Sequence, residues 1–485
     1  CILLTHAHID HSGLIPLMYV NGFRGQVYST SATAQLCEIM LRDSAHIQMF
    51  EAEWRNRKAA RSGGKLKEFV PLYDMDAAVN VCKQFVGCEY DKIYNIADGI
   101  KIRFTDVGHL LGSASIEVWA TEKTENGDVT EKIVFSGDIG NINKPIIKDP
   151  KHVTDADYVV MESTYGNRSH GGTPNYVEDL TNIFKRTFER GGNVVIPSFA
   201  VGRTQELLYI IRKIKEDNLV GRDFDVYMDS PLAIEATNIF IKNVESCFDD
   251  EAVELVRKGI NPLSFPGLKY ATTGDESKQI NFDPNPKVII SSSGMCEAGR
   301  IRHHLKHNLW RPECTIVFVG YQAVGTTGRI IVDGAEEIKL FGEPIQIKAE
   351  IVQLKGSSGH ADKDGLLCWI NAFDRKPKKV FVVHGEDSVC DEFTECLKEE
   401  YGYDAMAPYT GGSYDLIADR VISEGVKERK TRRTTSTQRG KTVFDRLVAA
   451  GKRLMTVITH NEGGTNKDLA KFTDQINALC DKWDR

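Results

Sequence analysis

A chain of 485 residues has room for two to four domains at about 100–200 residues each, and 41% hydrophobic with 27% charged residues excludes a disordered or fibrous protein. The formal net charge of −7 excludes attraction of a polyanion by the global field, so a nucleic-acid partner has to be met by a local basic surface or by metal. The 11 cysteines form no CxxC or paired framework and no apolar run approaches the roughly 18 residues of a membrane span, so a reduced, cytoplasmic protein without membrane association is expected.

The chain opens on Cys1-Ile2-Leu3-Leu4, an apolar run that reads as a buried strand. Position 1 is not Met and no turn precedes the run, so a missing upstream segment is expected rather than a processed terminus. Directly after it stands Thr5-His6-Ala7-His8-Ile9-Asp10-His11-Ser12-Gly13. Residues two apart on extended backbone point the same way, so His6 and His8 share one ion, and after a turn Asp10 and His11 face a second. A solvated polar loop is the alternative, but three imidazoles and a carboxylate within six residues at a strand end favour metal. The absence of thiolate favours Zn, with Mn or Fe open.

As far as about residue 140, short apolar runs at 26–28, 101–105, 116–120 and 132–135 alternate with turn residues and with a helical stretch over 33–61, an α/β layer pattern. Two further ligand types follow these runs. His109 lies in Val107-Gly108-His109-Leu110-Leu111-Gly112-Ser113-Ala114, and Asp138 in Phe135-Ser136-Gly137-Asp138-Ile139-Gly140, where glycines let backbone approach closely. Taken singly, each is equally a satisfied core or turn residue.

After Gly171 the rhythm changes. Val177, Leu180, Ile183, Phe184 and Phe188 share one helical face, Gly191-Gly192 ends that helix, and a strand at 194–196, a helix at 204–215 and a strand at 224–228 follow. This predicts a second, doubly wound α/β unit running to about Gly342. Strand patterns resume at 345–354 and 380–383, each leading to a histidine: His360 in Gly359-His360-Ala361-Asp362, and His384 in Val382-Val383-His384-Gly385-Glu386. Residues 425–441 hold seven Lys/Arg and one Glu among Thr, Ser and Gln, a linker by composition. Beyond it Leu469, Phe472, Ile476, Leu479 and Trp483 fall on one stripe of a terminal helix.

The order HxHxDH, GHxxGS, SGD and a late strand-end His resembles the metallo-β-lactamase fold, whose αββα sandwich carries two metals at one edge. The stretch between Asp138 and His384 is far longer than the simple hydrolases of that fold place there. It resembles the β-CASP branch, nucleases that include the cleavage-and-polyadenylation endonuclease and bacterial ribonucleases. Glu162 in Met161-Glu162-Ser163-Thr164-Tyr165-Gly166 is similar to that branch's motif A, His360 to motif B and His384 to motif C. Pro197-Ser198-Phe199-Ala200-Val201-Gly202-Arg203, Asp229-Ser230-Pro231 and Ser292-Ser293-Gly294-Met295 are typical of its inserted domain. The resemblance covers about residues 1–420. The family's earlier Asp-bearing motif and initial strands are absent here, no KH-type module with a GxxG loop follows, and the tail from 421 matches nothing of known function.

The resemblance implies an α/β fold: a metallo-β-lactamase αββα sandwich (1–170 and 343–420), an inserted doubly wound β-CASP domain (171–342), and a basic linker with an amphipathic helical tail (421–485). It implies two Zn²⁺ per chain, one held by His6, His8 and His109, the other by Asp10, His11 and His384, with Asp138 bridging. The implied catalytic set is Asp10, Asp138, Glu162 and His360, in which His360, held protonated near Glu162, is the general acid. For Glu162 a structural cap is the alternative. Ser293, Gly294 and Arg203 are expected to hold phosphate oxygens, while Arg203 is equally expected to cap or pair within the core. His303, His304 and His307 are expected on a partly solvated helix.

The function expected is a metal-dependent ribonuclease acting on single-stranded RNA. A DNA nuclease, a small-molecule metallohydrolase and a catalytically inactive RNA-binding scaffold are the alternatives. DNA-acting members of the branch tend to replace the motif C histidine by an aliphatic residue, and His384 favours RNA. The terminal stripe is expected to dock on a second copy, making a homodimer, or on the chain's own sandwich. The linker is either a spacer or an arm to the RNA groove.

Overall fold

Two large sheets organise the fold, and their edges decide where the chemistry-bearing loops end. The structure, a computed structural model, describes residues 1–61, 68–125, 127–169, 171, 175–354, 358–427, 448, 450–451, 454–462 and 465–483. It divides into two units, Cys1–Ser44 with Asp76–Val426, and Ala45–Met75 with Lys427–Arg485.

In the first unit a seven-stranded sheet runs, edge to edge, Ala405–Met406, Lys379–Val383, Tyr158–Glu162, Gly127–Phe135, Ala114–Thr124, Ile100–Asp106 and Ile93–Ala97. The last four form an antiparallel meander, whereas Tyr158–Glu162 lies parallel to both its neighbours. A three-stranded parallel sheet of Ile2–Leu3, Val27–Thr30 and Phe85–Cys88 packs Leu3 and Tyr28 onto Ile102, Phe104 and Ile116 of the larger sheet. The core beside Val134, Val159 and Val380 is closed by Leu366, Trp369 and Ile370 of the helix Lys363–Ile370 and by Phe393 and Leu397 of Asp387–Glu399. This is the layered sandwich expected, although Ile2 and Leu3 are half-buried rather than covered on both faces, and burial becomes complete only at Leu4.

The inserted unit holds a six-stranded sheet in the order Leu268–Tyr270, Asp225–Asp229, Lys287–Ser291, Val194–Pro197, Thr315–Val319, Glu350–Leu354, parallel at every pairing. Three of its four inner strands, Lys287–Ser291, Val194–Pro197 and Thr315–Val319, are buried along their whole length, which explains why they read as continuous apolar runs rather than alternations. Val195, Ile289, Ile316 and Phe318 pack with Ile301, Leu305 and Leu309, and alternation sends Val194, Ile196 and Val317 to the other side.

The stretch at 345–354 is not one strand. Glu343–Gln346 pairs antiparallel with Glu337–Leu340 in a hairpin, and Lys348 and Ala349 donate their N–H groups to Leu309 O. Glu350–Leu354 then joins the parallel sheet beside Thr315–Val319. That strand was expected in the outer sandwich, beyond a boundary at 342, and it lies instead in the sheet of the insert.

In the second unit the helix Asn466–Trp483 forms as expected, with Leu469, Phe472 and Ile476 half-buried and Leu479 exposed. The side chain of Trp483 and the basic stretch from 428 to 441 lie outside the described residues. Among the described residues no helix is long and apolar enough to cross a membrane.

Candidate metal centre

The first histidines leave the strand Ile2–Leu3 on a loop pinned by Thr5 O, which accepts Ala114 N–H at 2.9 Å. A helical turn, Ile9–Ser12, follows at once. Ser12 Oγ closes it with bonds to Ala7 O and His8 O, both 3.0 Å, so Asp10 and His11 come round to the side already occupied by His6 and His8. His109 sits between two meander strands, where Ser113 Oγ accepts its N–H at 3.0 Å.

Asp138 follows the strand Gly127–Phe135. Gly137 before it has φ +61°, and a Cβ there would lie 2.9 Å from both Ala114 O and Thr5 Cβ, so only glycine delivers the carboxylate to this place. Gly140 presses so closely on the His109 loop that a Cβ would stand 1.9 Å from Gly108 O. His384 ends the strand Lys379–Val383 in the left-handed region at φ +50°, a conformation uncommon for a side-chain-bearing residue and typical of functional positions. Thr164 Oγ1 holds it, 3.2 Å from Nδ1 and 3.2 Å from its carbonyl O.

All seven residues expected to be ligands come together. His6, His8, His109 and Asp138 form one group and Asp10, His11 and His384 another, each with its ligand atoms within 4.8 Å of one another. Asp138 stands between them: Oδ2 lies 3.3 Å from His6 Nε2 and 3.6 Å from His109 Nε2, while Oδ1 lies 3.3 Å from His11 Nε2 and 3.5 Å from His384 Nδ1. Asp10 Oδ2 lies 3.8 Å from His11 Nε2 and 3.7 Å from His384 Nε2.

The donor set fits a pair of cations. His6 Nε2 and Asp138 Oδ1 are buried without a hydrogen-bond partner, which is costly unless something else satisfies them. Ring nitrogens converge in pairs, His109 Nε2 on His8 Nδ1 at 3.1 Å and His11 Nε2 on His384 Nε2 at 3.2 Å. His109 Nδ1 faces Gly359 O at 3.1 Å, so the tautomer that donates there leaves Nε2 with a lone pair for metal. Burial pushes His6 and His109 down and His8 to about 3, so these imidazoles are neutral, the form that ligates. Burial works against the Asp138 anion, but the His11 and His6 rings, each 3.3 Å away, hold it far below the usual carboxylate range. The attraction between the Asp10 carboxylate and the His384 ring, 3.7 Å apart, lowers the acid and raises the imidazole to about 9. Imidazole with carboxylate, and no thiolate, is a set that suits zinc.

Glu162 and His360 stand beside this centre. His360 Nδ1 lies 3.2 and 3.1 Å from the two Glu162 oxygens and 4.0 Å from Asp138 Oδ2. Burial opposes the imidazolium, yet the charge and hydrogen bond of Glu162 raise the His360 pKa on balance. Glu162 also accepts from the N–H of Ile139, so it caps the Asp138 loop as well as holding His360.

The centre opens into a cleft of about 600 Å³ lined from both sheets, by His8, Asp10, His109 and His360 on one side and by Phe199, Arg203, Ser293 and Tyr321 on the other. Arg203 lines this cleft and pairs with Glu206, Nη1 to Oε2 at 2.5 Å, the internal pairing that was expected as its alternative. Gly294 is buried behind the Phe199 ring and is not among the lining residues. On the helix Ile301–Asn308, His303 and His307 are exposed as expected. His304 is not: it is fully buried, with Nε2 2.6 Å from Asp229 Oδ2 in a cluster that Arg300 joins through Asp229 Oδ1 at 2.7 Å.

Lys144 and Glu206, which also line the cleft, are among the residues that escaped the sequence. Lys144 donates to His109 O at 3.0 Å and lies 3.2 Å from Glu206 Oε1. The spacing of Arg203 and Glu206, three apart at a helix start, was the one available signal for that pair. Lys144 carried none.

Residues 204–331 match the Beta-Casp domain, and residues 344–408 match the Zn-dependent metallo-hydrolase RNA specificity domain. Among curated relatives, Ribonuclease TTHA0252 of Thermus thermophilus is 35% identical over 386 residues, 80% of this chain and 81% of its own length. An RNase J-like protein of Methanocaldococcus jannaschii is 31% identical over 79% of this chain and 81% of its own. The transcription termination factor FttA of Methanosarcina mazei is 31% identical over 84% of this chain, which spans 61% of that factor's length.

Proposed function

Because the chain belongs to the β-CASP branch of the metallo-β-lactamase-family ribonucleases, we propose that it hydrolyses phosphodiester bonds of single-stranded RNA with two zinc ions. The observation that carries this is the placement of Asp138, one oxygen toward His6 and His109 and the other toward His11 and His384. His6, His8 and His109 would hold one ion, Asp10, His11 and His384 the other, with Asp138 shared. When bound, the ions supply the Lewis acidity that makes water nucleophilic near neutral pH and offset charge gathering on phosphoryl oxygens.

The protein's own groups do the rest. Glu162 grips Nδ1 of His360, which fixes the ring at the wall of the cleft and makes Nε2 the atom assigned to protonate the departing oxygen. The Asp10 carboxylate, 64% exposed, faces solvent at the rim and is placed to orient the attacking water. Arg203 and Ser293, on the opposite wall, are assigned to non-bridging oxygens. The match of 344–408 to an RNA specificity domain supports RNA over DNA, and both His360 and His384 fall inside it. We assign 1–170 and 343–420 to the zinc-holding sandwich, with the strand Glu350–Leu354 lent to the sheet of the insert (171–342), and 421–485 to a dimerising tail.

Purified protein incubated with labelled RNA, single-stranded DNA and duplex DNA, with and without chelator, gives the test. RNA cleavage that chelator abolishes and zinc restores is expected, with close to two zinc ions per chain by elemental analysis. Equal cleavage of DNA, or activity indifferent to chelator, would overturn the assignment.

A further inference from the structure

The metal ligands and the cations account for recognition of phosphate, but the cleft also holds two aromatic rings that neither zinc nor phosphate requires. Phe199 is 48% exposed and Tyr321 52% exposed, and both line the cavity that contains His8, His109 and His360. We propose that Phe199 and Tyr321 form a nucleobase-stacking platform, so that the substrate is held by an unpaired base near the scissile phosphate as well as by the phosphate itself. This deepens the ribonuclease assignment and rests on it.

Topology brings the two ring-bearing residues to the same edge. Phe199 follows the strand Val194–Pro197 and Tyr321 follows Thr315–Val319, and those strands are paired neighbours in the parallel sheet. Both residues therefore leave the carboxyl edge of an open α/β sheet from adjacent strands about 4.8 Å apart, the edge at which such sheets bind ligands.

Local packing backs the Phe199 ring, and hydrogen bonds fix the backbone beneath both rings. The Phe199 ring is backed by Gly294 so closely that a Cβ there would stand 3.1 Å from Cδ2 and 3.2 Å from Cε2. The φ of Gly294 is not positive, so the glycine at this position serves space rather than backbone conformation. Gln322 Nε2 donates to Gly294 O at 3.1 Å and to Tyr321 O at 3.3 Å, tying the backing residue to the second ring's backbone. Thr204 Oγ1 donates to Phe199 O at 2.7 Å, which fixes the first ring's backbone from the other side. The backbone beneath both rings is thus fixed before a base arrives, and preorganised surfaces lose least on binding.

A stack on an aromatic face is available only to a base that is not already stacked in a duplex, and it reads no hydrogen-bonding edge. The platform thus accounts for a preference for single strands with loose sequence selectivity. Each stacked base is expected to raise affinity roughly 5- to 100-fold.

The experiment crosses protein variants with a substrate series: a short RNA and versions of it carrying one abasic residue at successive positions. The variants are Phe199→Ala, Tyr321→Ala and the conservative Phe199→Tyr, each checked for zinc content. Phe199→Ala is expected to raise KM for intact RNA roughly 5- to 100-fold with a smaller change in kcat and zinc unchanged, and Phe199→Tyr to restore most of it. At one or two abasic positions the wild type and Phe199→Ala should converge, because the interaction is already gone. Effects of variant and abasic substitution that multiply at every position would overturn the platform. If Phe199→Ala does not fold, Tyr321→Ala and the abasic scan on wild-type protein decide alone: an abasic series in which no position weakens binding overturns it. A wild-type protein that cleaves no RNA at all would be a failure of the ribonuclease assignment itself, seen before any variant is compared.

Discussion

The pair Lys144 and Glu206 joins the two halves of the cleft, and its removal should have opposite signatures depending on which partner is lost. Lys144 comes from the loop after Asp138, and Glu206 from the first turn of the helix Arg203–Glu216 in the insert. The side chains of Lys144, Glu206 and Arg203 are 11%, 9% and 14% exposed. Burial lowers the Lys144 pKa, while for Glu206 burial is outweighed by the Arg203 and Lys144 charges, which hold the carboxyl below its ordinary value. Glu206→Gln takes from the buried Lys144 ammonium the carboxylate it pairs with, and stranding a buried charge costs about 3–5 kcal/mol. Lys144→Met leaves Glu206 still paired with Arg203 and removes one ion pair and one hydrogen bond, about 1–3 kcal/mol. Urea unfolding of the zinc-loaded protein should therefore rank Glu206→Gln as the less stable variant. Zinc retention should rank them the other way, since only Lys144→Met loses the bond to His109 O, and losing a contact that orients a ligand costs roughly 10- to 100-fold in metal affinity. Lys144→Met proving the less stable of the two, or both variants keeping zinc like the wild type, would show that the pair is neither desolvated nor coupled to the ligand loop.

Three other outcomes follow from the same geometry. His360→Ala should keep both zinc ions and lose roughly 10²–10⁴ in single-turnover rate, the usual contribution of a positioned proton donor, and loss of zinc would place His360 among the ligands. Glu117 is a fully buried carboxylate 2.7 Å from Arg103 and 2.8 Å from Lys132, and although burial opposes its charge those partners lower its pKa. Its stabilising effect is thus complete above the unfolded value of about 4.3 and is lost as pH falls through the lower folded value, so Glu117→Gln should flatten the acid limb of the urea midpoint against pH; an unchanged limb would refute this. Deleting 421–485 should convert a dimer to a monomer by light scattering, and a truncated protein that stays dimeric excludes the tail as the principal contact.

What was legible in the sequence was what lies close together in it. Four ligands occupy six positions from His6 to His11, and glycines mark the loops of His109 and Asp138, so local spacing sufficed. Glu350–Leu354 went to the wrong sheet because an apolar run reveals a strand but not its neighbour, and its pairing with Thr315–Val319 is a long-range fact. His304 was misplaced for a similar reason: its burial depends on Asp229, 75 residues away, and a helix pattern carries no trace of a distant carboxylate. Lys144 belongs to the same class, a lysine whose partner sits in another sheet's helix.

The pairing of the strands that lead into and out of the insert explains how so large a domain can interrupt a ligand set. The chain leaves the sandwich after Glu162 and is back in it by Ala361 and the helix Lys363–Ile370, and the strand Lys379–Val383 then runs beside Tyr158–Glu162 with Val383 opposite Glu162. Motif A and the last histidine are therefore neighbours through backbone pairing, reinforced by Thr164 on His384 and by Ser163 N–H on His384 O at 3.2 Å. The long excursion between them is closed by the sheet itself, so the position of His384 relative to Asp138 depends on sandwich strands. The insert is left to supply the opposite wall: Phe199, Arg203, Ser293 and Tyr321 all stand on loops or helix starts of its own sheet. It follows that changes on that wall should alter KM and substrate preference while zinc stays, whereas changes at Asp138 should remove zinc while RNA still binds the wall. Lys144 with Glu206 ties the loop after Asp138 to a helix of that wall, which is why this pair should move stability and metal retention in different directions.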